Sequence, residues 1–284
     1  MSMVRVTATG AYLSWRTPEM TSPRPDSPGA VWDPSQVSDE LLTLTHSLGD
    51  TRRDLVILAE GNTSALLPDG RVVVKASGSN MASATREDFV VVDVPPLIDL
   101  ITSQEATQQD LTEALVAGEH EGRLRRASIE TLVHVAVQHF APAAYVGHTH
   151  PTTVVGLLAS VHAETAFEKF VYSDEAVVIG RPLFVPYAQP GIDLGRVFFH
   201  QLRRYFEQHG ELPSLILLGN HGIVAVAPSP QGVEGISAMS VKGAAVRIAA
   251  YSAGGAAPLS DESITKFFAR DDIAERRHNL ASGS

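Results

Sequence analysis

The chain has 284 residues, 44% of them hydrophobic, enough for one large domain or two small ones with a sizeable core. A net charge of −10 and an isoelectric point near 5.5 argue against a general nucleic-acid surface, and no basic run interleaved with aromatics occurs. There is no cysteine, which excludes disulfides, thiolate zinc sites and cysteine nucleophiles and leaves His, Asp and Glu to hold any metal.

Residues 1–31 include "TPEMTSPRPDSPG" and are expected to form a proline-rich, irregular arm that adds little to the fold. They lack the charged start and apolar core of a signal peptide, and no apolar run along the chain reaches membrane length. A cytoplasmic protein without a membrane partner is the expectation.

From Trp32 the pattern becomes periodic. In "DPSQVSDELLTLTHSLG", Val37, Leu41, Leu44 and Leu48 share a helical face that Gly49 should end. "LVILAEGNTSALL" and "RVVVKAS" read as strands joined by a Pro68-Asp69-Gly70 turn, and "DFVVVD" as a further strand. "LTEALVAGEH" reads as a helix. So does "SIETLVHVAVQHF", with Ser128 in the N-cap position and Ile129, Leu132, Val133, Ala136, Val137 and Phe140 as its apolar stripe. "APAAYVGHTHP" ends a strand. "TTVVGLLASVHAETAFEKF" reads as a helix, "RPLFVPYA" as a strand and "IDLGRVFFHQLRRYFEQHG" as a helix. "SLILLGNHGIVAVAP" gives two buried strands interrupted at Asn220-His221-Gly222, and helices are expected from about Gln231 to Ser252 and Asp261 to Leu280. No internal repeat appears. The parse is an arm over 1–31, one α/β domain over 32–255 and a helical tail over 256–284.

The chemistry-bearing residues are individually ambiguous. Side chains two apart on a strand face the same way, so His148 and His150 project together and can ligate one ion; two surface histidines at a strand end give the same pattern. His221, beside the permissive Gly222, is a third donor or a polar turn residue. Glu130 is a fourth donor, or a favourable charge at a helix N-terminus paired with His134. "AEGNTSA" and "KASGSN" with Lys75 resemble turns that offer backbone N–H groups to an anion, or are ordinary turns. Neither a Walker motif nor G-x-G-x-x-G is present, so a nucleotide site is not indicated.

Taken in order, "EGNTS", "KASGS", "RRASIE", "GHTHP", "PYAQPG" and "NHG" resemble the class II aldolase and adducin family over about residues 35–250. "VKASGS" and "RRASIETLVH" look most similar to the aldolase domain of the bifunctional rhamnulose-phosphate aldolase/dehydrogenase proteins, without a dehydrogenase domain in the residues that follow. The resemblance implies a three-layer α/β/α fold around a largely antiparallel sheet. It implies a metal held by His148, His150 and His221, with Glu130 as ligand in the empty site and acid/base in turnover. Zinc is the implied ion, with manganese or cobalt as substitutes. Gly61, Asn62, Ser77, Gly78 and Ser128 match phosphate-site positions. Ile129 stands where fuculose-phosphate aldolases have a second serine, which removes one phosphate donor. Tyr172, 15 residues before Tyr187, matches a catalytic tyrosine supplied by a neighbouring subunit, although farther from the H-x-H motif than the family places it. The implied activity is cleavage or formation of a ketose 1-phosphate from dihydroxyacetone phosphate and an aldehyde. The alternatives are a 4-epimerase, a dehydratase, a sugar-acid phosphate decarboxylase or a non-catalytic adducin-like module. A homotetramer is the expected assembly.

Overall fold

The computed structural model describes residues 29–282, so all but the last three residues of the arm read over 1–31 lie outside the described residues. Its strands and helices run β1 (Ala30–Val31), α1 (Asp39–Leu48), β2 (Asn62–Leu66), β3 (Val72–Lys75), β4 (Phe89–Val92), α2 (Val94–Thr102), α3 (Gln108–Ala114), β5 (Val116–His120), β6 (Arg123–Arg126) and α4 (Thr131–Phe140). They continue with β7 (Tyr145–Thr149), α5 (Thr152–Leu158), α6 (Ser173–Ile179), β8 (Leu183–Val185), α7 (Ile192–His209), β9 (Leu215–Leu218), β10 (Gly222–Ala227), α8 (Pro230–Ser252), α9 (Asp261–Phe268) and α10 (Asp271–Ser282).

Eight strands form one sheet in the order β1-β4-β3-β2-β7-β10-β9-β8. Every neighbouring pair is antiparallel except β8 with β9. Valines of β3 and β4 alternate between the faces: Val72, Val74, Val90 and Val92 join the core under α2, α4 and α7. Ile223, Ala225, Leu215 and Leu217 of the other face pack with Leu44 and Leu48 of α1, with α5 and with α8. Both faces are thus covered by helices, and the architecture is the expected α/β/α sandwich. Among the described residues no helix is long and apolar enough to cross a membrane.

The α1 stripe forms as its spacing predicts: Val37, Leu41, Leu44 and Leu48 are all buried, and the Ser38 hydroxyl accepts from Leu41 N at 3.1 Å as N-cap. Asp69 and Gly70 close the β2–β3 hairpin, Gly70 at φ +87°.

Several expectations are corrected. Leu55–Gly61 is a loop before β2; Ile57 and Leu58 are exposed, so their apolar run does not mark a strand. "LTEALVAGEH" is helical only to Ala114. Its second half is β5, because Glu121 and Gly122, both at positive φ, fold it back on β6. The helix after the histidine strand stops at Leu158, where Ser160 Oγ donates to Leu157 O and accepts from His162 N. Ser128 does not cap α4; Glu130 occupies that place and Ile129 is exposed outside the helix. The long C-terminal helix is two, broken at Ala269-Arg270. Of the segment read as an arm, Ala30 and Val31 pair with Val92 and Val91 at the sheet edge. The tail docks through the Leu259 N to Phe170 O bond, an Arg276–Asp174 ion pair and buried Ile273.

Candidate metal centre

The register puts Asn62, His148 and Val224 side by side on adjacent strands, facing α4. His148 is the penultimate residue of β7, His150 lies one residue beyond its end, and His221 sits in the turn before β10, where Asn220 adopts φ +52°. Glu130 comes from the N-terminus of α4. The ligand atoms of these four side chains all lie within 4.8 Å of one another. His221 Nε2 is 2.8 Å from Glu130 Oε1, His148 Nε2 is 3.2 Å from Glu130 Oε2, and the Nε2 atoms of His148 and His150 are 2.9 Å apart.

The backbone is shaped to allow this. A Cβ on Gly61, itself at φ +68°, would stand 2.8 Å from the His148 carbonyl oxygen and 2.7 Å from Val56 Cγ1; only glycine fits. A Cβ on Gly222 would come within 2.7 Å of the His150 ring. The α4 start at Thr131, three residues after Ser128, leaves Glu130 as the cap, with its carboxylate turned to the histidines rather than back onto the helix.

Behind the cluster runs a buried polar chain that pattern reading did not find. Ser64 Oγ lies 2.7 Å from His134 Nδ1, His134 Nε2 meets Asn62 Oδ1, and Asn62 Nδ2 donates to Glu130 Oε2 at 2.9 Å and to Ser128 Oγ at 3.1 Å. His134 therefore reaches Glu130 through Asn62, not as its direct partner. Burial, reinforced by the charge on His148, pushes the His134 pKa down to about 3, so this imidazole is neutral and fits a donor–acceptor relay. Helical periodicity gave no signal for it: α4 is buried all round from Thr131 to Gln138, and His134 lies inside it as a polar residue that needs a partner.

Charge in the cluster is strongly coupled. Burial raises the Glu130 pKa, but the charge and hydrogen bonds of His148 and His221 outweigh it and hold the carboxyl well below its usual range. Burial lowers His148 while Glu130 lifts it, and the net shift is upward. His150 is pushed down to about 3, by burial first and by the charge of His148 second.

The donor set suits a divalent ion. His148 Nδ1 is committed to the Ile223 carbonyl at 2.8 Å, which turns Nε2 toward the cluster, and the buried His221 Nδ1 has no partner among the described residues. Three imidazoles and one carboxylate match a zinc or related site, and such a cluster could hold a metal.

Of the positions that the resemblance matches to a phosphate site, Ser128 and Asn62 are buried against Glu130, whereas Ser77 is exposed on the loop after β3 beside Gly78, which adopts φ +81°. Lys75 lies beneath that loop, its ammonium donating to Ser79 O at 2.6 Å and Ala76 O at 3.3 Å. Tyr172 does not join the cluster: its hydroxyl contacts Met239 Sδ, and the Lys242 ammonium stands 5.4 Å from its ring centroid. Burial, then Glu175 and Asp174, raises its pKa.

Burial pushes the Lys75 pKa down to about 8, against the charges of Asp88 and Glu130. A group that gives up its proton more easily folded than unfolded costs stability while charged, and the cost fades as pH climbs from the folded toward the unfolded value. Wild type should therefore gain stability relative to Lys75→Met between about pH 8 and 10 in urea denaturation. A gap that stays constant over that range would contradict a desolvated ammonium at this position.

An α/β/α protein whose central sheet presents a His₃Glu cluster at the end of its middle strands defines the class. The sequence matches the Class II Aldolase and Adducin N-terminal domain over residues 39–233, and the chain belongs to that family. No curated protein matches it significantly. Among solved structures, it is similar to the N-terminal class II aldolase domain of a conserved protein from Thermoplasma acidophilum: 19% identity, TM-score 0.55, 82% of this chain and 99% of that one. L-fuculose-1-phosphate aldolase from Thermus thermophilus gives 17% identity and a TM-score of 0.53, over 80% of this chain and all of that one. YgbL from Klebsiella pneumoniae, described only at the level of aldolase, epimerase or decarboxylase, gives 18% and 0.60 over 82% and 98%. At such identities the likeness establishes the fold alone.

Proposed function

We propose that the protein is a metal-dependent carbon–carbon lyase that joins or separates dihydroxyacetone phosphate and an aldehyde. The convergence of three histidine side chains and the Glu130 carboxylate carries this reading. A divalent ion, zinc first with manganese or cobalt as substitutes, supplies Lewis acidity toward the ketone and adjacent hydroxyl of a ketose 1-phosphate. His148, His150 and His221 hold it as neutral ligands. Glu130, buried but anchored to the relay through one oxygen, moves the proton at the carbon next to the ketone. In the condensation direction the Glu130 carboxylate takes a proton from C3 of dihydroxyacetone phosphate, C3 attacks the aldehyde carbon as its C=O bond opens, and the new C4 oxygen takes up a proton; cleavage is the reverse. Tyr172 of a neighbouring subunit in a homo-oligomer exchanges the proton on the aldehyde oxygen; its raised pKa keeps it a proton donor at neutral pH. The loop of Ser77 and Gly78, with Gly61, Asn62 and Ser128, receives the phosphate.

The test is a turnover screen of ketose 1-phosphates, their dephosphorylated forms and phosphorylated sugar acids with zinc or manganese. Aldehyde release from a ketose 1-phosphate supports the reading. Epimer, dehydrated product or carbon dioxide would replace the lyase by another reaction of the same scaffold. His150→Ala should lose metal and turnover together, with metal per chain falling from near one toward zero. Full metal retention in that variant would remove His150 from the ligand set.

A further inference from the structure

The three histidines differ in what stands behind them. His148 Nδ1 meets a backbone carbonyl, and His221 Nδ1 is buried without a partner among the described residues. His150 Nδ1 faces a carboxylate: Glu60 Oε2 lies 3.7 Å away. We infer that Glu60 is a positioning residue that holds the His150 ring with Nδ1 outward and Nε2 toward the ion; this rests on the metal-centre reading above.

The geometry on both sides of the contact supports it. His150 Nε2 lies against His148 Nε2 and inside the ligand cluster, so the nitrogen left to carry the proton is Nδ1, the one that faces Glu60. Glu60 is itself fixed. Its Oε2 accepts from Ile57 N at 3.0 Å, and its own N–H donates to Ile57 O at 3.0 Å, closing a tight turn with Leu58 at φ +54°. A left-handed leucine costs conformational energy, and the turn that imposes it serves to aim a carboxylate.

The same segment grips His150 by the backbone. His150 N donates to Leu55 O at 2.8 Å, and two residues on Thr152 Oγ1 donates to Asp54 Oδ1 at 3.0 Å. Loop 54–60 is therefore a strap across a ligand that lies beyond the end of its strand, where the sheet no longer fixes the ring. His148 needs no such strap, since β2 and β10 flank it. At 3.7 Å the carboxylate lies beyond a direct hydrogen bond and acts through its charge on the ring's orientation, favouring Nδ1–H on the side of Glu60.

Zinc affinity measured by competition with a chromophoric chelator, on the full chain, tests this. Glu60→Ala should bind zinc about 10- to 100-fold more weakly than wild type, the usual effect of removing an outer carboxylate partner. Glu60→Gln keeps an oxygen for Ile57 N but not the charge, and should lose about tenfold. The visible bands of the cobalt-loaded protein should shift in both, while the metal-free melting temperature of Glu60→Gln stays at the wild-type value. A wild type that binds zinc together with a Glu60→Gln variant of equal affinity and unchanged cobalt bands overturns the assignment, even if Glu60→Ala is weakened, because Glu60 would then only brace the turn. A wild type that binds neither ion overturns the metal-centre reading and this one with it.

Discussion

Glu130→Gln should keep its metal yet turn over about 10²–10⁴-fold more slowly, the usual size of a general acid–base contribution. The substitution preserves shape. Three histidines remain as ligands, so metal content should stay near one per chain. What changes is the proton. The carboxylate accepts from Asn62 Nδ2 and stands 2.8 Å from His221 Nε2 through its other oxygen; an amide has one oxygen for these two demands and cannot take up a proton. The expected result is a split between metal content, measured by elemental analysis, and kcat. Near-wild-type turnover would reduce Glu130 to a charge at the start of α4, and the proposed chemistry would fall with it.

The readable features of the sequence and the hidden ones divide on physical grounds. Alternation along β7 and the turn before β10 placed His148, His150 and His221 as possible partners because strand geometry and a glycine are local rules. The apolar stripe of α1 was visible for the same reason. Helix α2 was not: in "VPPLIDLIT" two prolines look like breakers, but they occupy the first turn, where no N–H is required. The β5–β6 hairpin was hidden because nothing before Glu121-Gly122 forbids a continuing helix; the two positive φ angles decide it. Leu55–Leu58 look like strand residues, and only the contacts of this segment with His150 and Thr152 explain why they form a loop instead. The relay through His134 and Asn62 and the contact of Glu60 with His150 join residues far apart in sequence, and periodicity carries no information about such pairs. The turns holding Gly61, Asn62, Ser77 and Gly78 were legible as possible anion turns, while their assignment to a phosphate, and Tyr172, entered by resemblance. The structure brings Asn62 and Ser128 against Glu130 and leaves Tyr172 against α8.

Arg247→Met should destabilise the fold by about 3–5 kcal/mol, the cost of stranding a buried charge. Arg247 and Glu175 are both 0% exposed and paired at 2.5 Å. The guanidinium also donates to Ala166 O at 2.5 Å, Lys169 O at 2.9 Å and Gly243 O at 3.1 Å, and lies 4.0 Å from the Phe167 ring centroid. Glu175 Oε2 accepts from Val171 N at 3.2 Å. One ion pair thus ties α8 to the irregular segment 166–171 and to the first turn of α6, next to Tyr172. Removing Arg247 leaves a buried carboxylate and takes the donor from the carbonyls of Ala166 and Lys169, which lie outside any strand or helix. Melting should fall by roughly 10 °C. Arg247→Met with Glu175→Leu should recover much of the loss, because an apolar pair no longer strands a charge. A single variant costing less than about 1 kcal/mol would mean that the carboxylate finds water or a proton, and that the pair is not truly buried. The double variant also separates packing from chemistry. The histidine cluster sits on the opposite face of the sheet from α8, so metal content should be unchanged in every one of these proteins. If Tyr172 acts on substrate, the double variant, refolded but without the Val171 anchor, should bind metal normally and still lose turnover.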